Sequence, residues 1–171
     1  MIQKGGKSIG SGSYGCVFRP SLKCSDKNKR STDSVSKLML NDDATKEFKE
    51  INKYKSTLEK IPNYNKYFII ADDICKPDEL SKDDIVDINK KCDKYPFLDK
   101  FLKESPKTKS FSIVQLPDGG NELYENYSKI QLDYKAMFIF NNLLENISKN
   151  AIIPMNKLKL IHGDIKSDNL L

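Results

Sequence analysis

A glycine-rich motif between two short strand patterns is the feature that most constrains the fold of this chain. Residues 10–17 read G-x-G-x-x-G-x-V, with strand-like residues at 7–9 and 16–18, and Pro20 ends the second strand because proline has no amide donor. A dinucleotide-binding fold would need a helix to begin inside the motif, which these strand-like residues exclude. A Walker-type loop is not favoured either: Gly6-Lys7-Ser8 matches its last three positions, but Met1 stands where its first glycine would fall. The pattern predicts a glycine-rich hairpin, either a plain surface turn or one whose backbone lies against phosphate oxygens.

The rest of the chain predicts an α+β arrangement. Apolar runs at residues 34–40, 67–70 and 111–116 have the length of strands. A helix is predicted from about residue 42 to residue 60, where apolar positions recur at the helical period. A second helix is predicted over residues 132–149. Its expected buried side consists of Ala136, Phe140, Leu143, Leu144 and Ile147.

Residues 76–109 are mostly charged, and we interpret them as an insertion outside the core, with a short helical patch at 83–92. A strong turn signal, Pro-Asp-Gly-Gly, follows the strand at 111–116. The chain is therefore divided into a β-rich part, residues 1–118, and a helical part, residues 119–171.

Lys37 lies inside an otherwise apolar strand, where an ammonium needs water or a partner. An edge lysine facing water is one interpretation. An ion pair with an acid of the following helix is the other, and it would aim the amine at phosphates. Glu47 and Glu50 are the candidate partners, and a helical wheel places Glu47 within the apolar face and Glu50 at its edge.

Residues 162–169 carry the pattern H-x-D-x-K-x-x-N. A polar turn with side-chain hydrogen bonds is the simple interpretation. The chemistry of phosphoryl transfer needs the same groups. Asp164 can accept a hydroxyl proton, Lys166 can neutralise a transferring phosphoryl group, and Asn169 can offer an amide oxygen to Mg²⁺.

In this order the three motifs resemble the signature set of eukaryotic-type protein kinases. The resemblance implies a kinase-like fold with a β-rich N-lobe and the start of a helical C-lobe, and ATP and Mg²⁺ as cofactors. Lys166, two residues after Asp164, is similar to Ser/Thr rather than Tyr kinases. The run Glu50-Ile51-x-x-Tyr54, followed by Ile61-Pro62-Asn63, is similar to the family's run from the C-helix to the fourth strand, so Glu50 is the preferred partner of Lys37 and Glu47 is the alternative. The Lys- and Asn-rich composition is also similar to kinases of large DNA viruses. The implied ATP-binding residues are Ile9, Gly10, Ser11, Gly12, Ser13, Tyr14, Gly15, Val17, Lys37, Gln115 and Pro117.

The sequence departs from the family at three points. Gly163 replaces the arginine that clamps a phosphorylated activation loop. Pro117 falls where the hinge donates an amide to adenine, so a single hinge bond from the Gln115 carbonyl is expected. No D-F-G appears by Leu171, so we expect an incomplete domain without turnover.

Composition narrows the partners and the compartment. The net charge of +5 comes from interspersed signs, which does not favour specific nucleic-acid binding. No apolar run is long enough to span a membrane, and no signal-peptide pattern begins the chain, so an intracellular, cytoplasmic protein is expected, in the host cytoplasm if viral. No C-x-x-C pair occurs, and four reduced thiols are expected rather than disulfides or a zinc site. The cysteines are Cys16, Cys24, Cys75 and Cys92.

The predicted function is therefore transfer of phosphate from Mg-ATP to a protein Ser/Thr hydroxyl. One alternative is phosphotransfer to a small molecule on a similar fold. Another is an inactive module that binds a nucleotide or a partner, with self-association through the apolar face of the helix at 132–149.

Overall fold

The computed structural model describes residues 6–12, 14–81, 84, 86, 88–103, 110–121, 123, 133–166 and 169–170, without the side chains at 101 and 103. The chain forms two compact units. The first combines Met1–Lys53 with Ile70–Asp118, and the second combines Tyr54–Ile69 with Gly119–Leu171.

The first unit is built on an antiparallel sheet that has five strands within the described residues, in the order β1-β2-β3-β5-β4. The chain is thus an α+β protein, as predicted. Strands predicted around the glycines, at 34–40 and at 111–116 are confirmed. The strands are β1 (Lys7–Gly12), β2 (Gly15–Arg19), β3 (Ser34–Leu40), β4 (Asp73–Cys75) and β5 (Phe111–Pro117).

Helix α1 (Asn41–Lys53) follows β3 directly and packs on one face of the sheet. Ala44 is fully buried there against Met39 and Val114, and Phe48 and Ile51 pack beside them. The helix is shorter than predicted: it is interrupted at Tyr54, and α2 covers only Lys55–Leu58.

The strand predicted at 67–70 is wrong. Tyr64–Lys66 form a 3₁₀ turn, residues 68–70 are irregular, and the fourth strand begins at Asp73. Ile69 is 39% exposed, so this apolar run does not lie in a sheet interior. The composition of residues 67–70 suits a buried strand. The segment that pairs with β5 is instead Asp73–Cys75, a few residues later in the chain.

The other face of the sheet is covered by the segment interpreted as an insertion outside the core, and that interpretation is wrong for its apolar residues. Helix α3 (Ile88–Lys91) and helix α4 (Leu98–Lys103) lie in this segment. The apolar side chains are four and three residues apart, and the charged residues between them are exposed; residues 92–97, between the two helices, form turns. The buried ones are Ile88, Cys92, Tyr95 and Leu98.

A buried ion pair fixes this segment. Asp84, whose side chain is 0% exposed, accepts from Arg30 Nη1 at 2.6 Å and Nη2 at 2.9 Å. It also accepts from the amide of Gly6 at 2.6 Å and from Ser81. Burial alone would raise the pKa of Asp84, but the hydrogen bonds from Arg30 and Ser81 outweigh burial and hold the pKa below its ordinary value.

The expectation of four separate reduced thiols is wrong in this structure. Cys16 is bonded to Cys92 and Cys24 to Cys75, with Cα–Cα distances of 5.5 Å and 5.7 Å. The partners are 76 and 51 residues apart in sequence, so no local spacing motif announces them. Each pair joins the sheet or its edge to a segment whose position only the tertiary fold defines.

The second unit contains α5 (Tyr134–Ile147), where a helix was predicted, although Leu132 lies outside the described residues. Asp133 caps it by accepting from the amide of Ala136 at 2.7 Å. A π-helical turn (Ser148–Ile152) and α6 (Ile153–Lys157) continue it. Of the expected buried face only Ala136 is buried, and Leu144 is 39% exposed.

Within the described residues, no helix has the length and apolar character needed to cross a membrane.

Candidate functional site

The glycine motif forms the β1–β2 hairpin. Gly12 pairs with Gly15, and Gly10 pairs with Val17. Ser13 lies outside the described residues, and the side chain of Tyr14, which follows it in the sequence, is 66% exposed. The strands end in a turn at the position where the sequence predicted it.

The glycines differ in what a side chain would meet. A Cβ at Gly15 would lie 2.7 Å from the Leu38 carbonyl oxygen and 2.8 Å from Met39 Cγ, so this glycine is required by packing on β3. A Cβ at Gly10 or Gly12 would meet no atom within 4 Å. Packing therefore does not require glycine at these two positions. A backbone open to close approach by a phosphate is what glycine supplies there.

Lys37 lies directly beside the hairpin, because Val17 and Lys37 are register partners on β2 and β3. Its side chain has the same parity along β3 as Met39, which packs towards α1. Its ammonium is 2.6 Å from Glu47 Oε2, and both side chains are about a quarter exposed, 24% and 25%. The sheet thus presents a paired, partly exposed cation on the strand next to the glycine hairpin.

The preferred partner in the sequence analysis, Glu50, is wrong, and the alternative Glu47 is right. Glu47 lies one turn after buried Ala44 on the side of α1 that faces the sheet, whereas Glu50 is exposed. The helical wheel placed Glu47 within the apolar face, and packing of that face brings its carboxylate to β3.

The hinge role predicted for the Gln115 carbonyl does not fit the structure. That oxygen accepts from the amide of Asp72 at 2.9 Å, as part of the pairing beside β4. The Gln115 side chain is also engaged, with Lys27 Nζ at 3.0 Å and Ser21 Oγ at 2.9 Å. Gln115 is a structural residue of the sheet interior. Pro117 ends β5, pairs with Ser34 and is exposed.

In the second unit the polar pattern forms one constellation, all exposed. Asn169 Nδ2 donates to the Asp164 carbonyl at 2.8 Å and to Asp164 Oδ2 at 2.9 Å. Lys166 Nζ lies 3.5 Å from the same carboxylate oxygen. The amide of Asp164 points to His162 Nδ1 at 3.3 Å. The sequence therefore identified residues that the loop brings together, because the turn between them is short.

Asn169 fits the predicted role of a magnesium ligand because its amide oxygen makes neither of the bonds to Asp164. Its amide nitrogen makes both of those bonds. No partner of this oxygen occurs among the described residues, and an amide oxygen is a ligand that Mg²⁺ accepts.

Gly163 has a backbone reason that the sequence analysis missed. Its φ is +77°, which residues with a Cβ rarely adopt. An arginine at this position would strain the loop. The glycine immediately before Asp164 therefore shapes the turn.

No protein-family model matches the chain, and no curated protein matches it.

Proposed function

We propose that this chain is part of a protein Ser/Thr kinase, which transfers the γ-phosphoryl group of Mg-ATP to a protein hydroxyl. The observation that carries the proposal is the Lys37–Glu47 ion pair at 2.6 Å, held beside a glycine hairpin on the neighbouring strands. A paired lysine keeps a defined position from which it can engage nucleotide phosphates. A plain surface turn would need neither the pair nor open glycines.

The two units supply separate parts of the chemistry. In the first, the amides around Gly10 and Gly12 and the Lys37 ammonium bind phosphate oxygens, while Ile9 and Val17 offer apolar contact to the base. In the second, Asp164 orients the substrate hydroxyl and accepts its proton, and Lys166 neutralises charge on the transferring group. Asn169 would hold Mg²⁺, which supplies charge neutralisation of the phosphates.

Lys166 two residues after Asp164 supports a Ser/Thr rather than a Tyr substrate, on the resemblance stated above. The need for ATP supports an intracellular, cytoplasmic location, with a viral origin implied only by composition. Thiols in that compartment are kept reduced, so both cysteine pairs would be dithiols there.

A nucleotide- or partner-binding module without transfer is the second candidate, favoured by the apolar surface of α5. Large apolar patches mark interaction sites. Its exposed side chains are Tyr134 (87%), Met137 (57%), Phe138 (58%) and Ile139 (51%).

Nucleotide titration tests the proposal. The chain is titrated with Mg-ATP and with adenosine, alongside Lys37→Met and the control Lys46→Met on the exposed side of α1. Lys37→Met should weaken ATP at least about tenfold, near 1.4 kcal/mol, and leave adenosine unchanged. The control should bind like the parent. Equal behaviour of the two variants would overturn the phosphate role of Lys37.

Transfer separates the two candidates. Mg-ATP with labelled γ-phosphate and a Ser/Thr peptide are added to a chain extended through the segment after Leu171. Asp164→Ala should abolish transfer and spare ATP binding. Binding without any transfer by the parent would favour the second candidate.

A further inference from the structure

A turn at the edge of the sheet brings the bonded sulfurs of two cysteines and a carboxylate together. Cys24, Asp26 and Cys75, here called the Cys24 cluster, place one ligand atom each within 4.8 Å of one another. Two sulfurs and a carboxylate oxygen are ligands that Zn²⁺ and other thiophilic divalent ions bind.

The backbone holds this cluster without help from the bond between the sulfurs. Cys24 forms a bridge with Pro77, and the amide of Ser25 donates to the Lys76 carbonyl at 2.9 Å. The Lys23 carbonyl accepts from the Asp78 amide at 2.8 Å. Main-chain contacts thus join three consecutive residues, 23–25, to the three residues that follow Cys75, 76–78, so the two cysteines stay adjacent when reduced.

The Cys24 cluster has two buried cysteines and one exposed carboxylate, as an open metal site requires. Cys24 is 1% exposed and Cys75 is 9% exposed, whereas Asp26 lies at the surface. Three protein ligands leave a fourth tetrahedral position for water on the open side. Thiolates on one zinc ion lie about 3.8 Å apart, a separation that side-chain rotation supplies at a Cα–Cα distance of 5.7 Å.

We propose that the Cys24 cluster binds one Zn²⁺-like ion when its cysteines are reduced. A dithiol reductant gives two electrons and two protons to the Cys24–Cys75 bond, which breaks to two thiols while the reductant becomes a disulfide. The ion then displaces the two thiol protons and is bound by two thiolates and the Asp26 carboxylate. The cluster does not depend on the kinase proposal, since it contains no residue of the glycine hairpin or the 162–169 loop.

The second cysteine pair is the internal control. Cys16 and Cys92 are both 0% exposed, and the described residues offer them no third ligand in reach. Reduction should free these thiols without creating a metal site.

Cadmium titration tests the proposal on the whole chain. The protein is reduced with a phosphine, transferred without oxygen, and titrated with Cd²⁺ while thiolate charge-transfer absorption is recorded. Zn²⁺ competition against a chelating dye then gives its affinity. The variants are Cys24→Ser, Asp26→Asn and the double control Cys16→Ser/Cys92→Ser, each checked by circular dichroism.

The absorption should saturate at one equivalent in the reduced parent and in the double control, and be absent from oxidised protein. Asp26→Asn, at an exposed side chain, should keep the signal but weaken Zn²⁺ by roughly tenfold or more. Cys24→Ser should lose tight binding. If Cys24→Ser does not fold, Asp26→Asn and the oxidised parent decide. The proposal would be overturned if the reduced parent did not saturate at one equivalent of Cd²⁺. It would also be overturned if the double control lost the absorption.

Discussion

The Lys37 ammonium lies 2.6 Å from Glu47 Oε2, ten residues along the chain, across the junction of β3 and α1. The strand ends at Leu40 and the helix begins at Asn41, so no loop intervenes between them. The position of the acid is therefore fixed by helix phase alone. A different rotation of α1 about its axis would turn a different glutamate towards the lysine.

We expect Glu47→Gln to weaken Mg-ATP binding several-fold and Glu50→Gln to leave it within about twofold. The amide cannot hold the ammonium as a carboxylate does, and the freed Lys37 side chain would sample other positions. Binding of the two variants is compared by titration at one ionic strength, since a pair that is about a quarter exposed is partly screened. A stronger effect at Glu50 would contradict the ion pair.

Much of the first unit was predictable because its strands carry local signals. Pro20 after β2, the length of β3 and the turn after β5 all limit strands within a few residues. The loop at 162–169 was predictable for the same reason, since its contacts span five residues or fewer.

Features that depend on distant contacts were not predictable. The Gln115 carbonyl was predicted to bind a ligand because its hydrogen-bond donor in the sheet could not be foreseen. That donor, the amide of Asp72, is 43 residues away in sequence. The two cysteine pairs and the packing of Ile88 on the sheet arise in the same way. The high charge of residues 76–109 made this segment look like an exposed insertion, because its charged side chains face water while its apolar ones pack on the sheet.

The glycines of the hairpin should separate stability from binding. Gly15→Ala places a methyl group 2.7 Å from the Leu38 carbonyl, a backbone atom that cannot move freely, and should destabilise by about 1–3 kcal/mol. Gly12→Ala meets no atom and should keep stability within about 0.5 kcal/mol, while ATP binding weakens because the methyl group blocks close approach. Urea unfolding and ATP titration measure both. Equal destabilisation by the two variants would contradict the packing difference.

Asp84→Asn should destabilise the chain by about 3 kcal/mol, since it removes the carboxylate charge that both guanidinium nitrogens of the nearly buried Arg30 contact. Asp78→Asn, at a partly exposed pair with Lys23, is the control and should cost less than about 1 kcal/mol.

The pKa of Asp84 is lowered, so its stabilisation is present above the unfolded pKa and is lost as pH falls through the folded one. The difference between parent and Asp84→Asn should therefore shrink below about pH 4. A difference independent of pH would contradict the ionised pair.

Tyr95 provides the opposite test at alkaline pH. Its ring is 3% exposed, and burial, reinforced by the nearby Asp43 carboxylate, raises the pKa of its phenol to about 12. A raised folded pKa favours the neutral form, so its stabilisation is complete below about pH 10 and is lost as pH rises towards 12. Tyr95→Phe cannot ionise. Its stability should therefore fall less steeply than the parent's over this range, by roughly 2 kcal/mol at the alkaline end. All other ionisable groups are the same in both proteins and cancel in the comparison. Tyr14→Phe, at an exposed ring, is the control and should follow the parent. The measurement is urea unfolding at intervals from pH 8 to about 12. Parallel pH profiles for the parent and Tyr95→Phe would show that Tyr95 does not ionise differently in the folded and unfolded states.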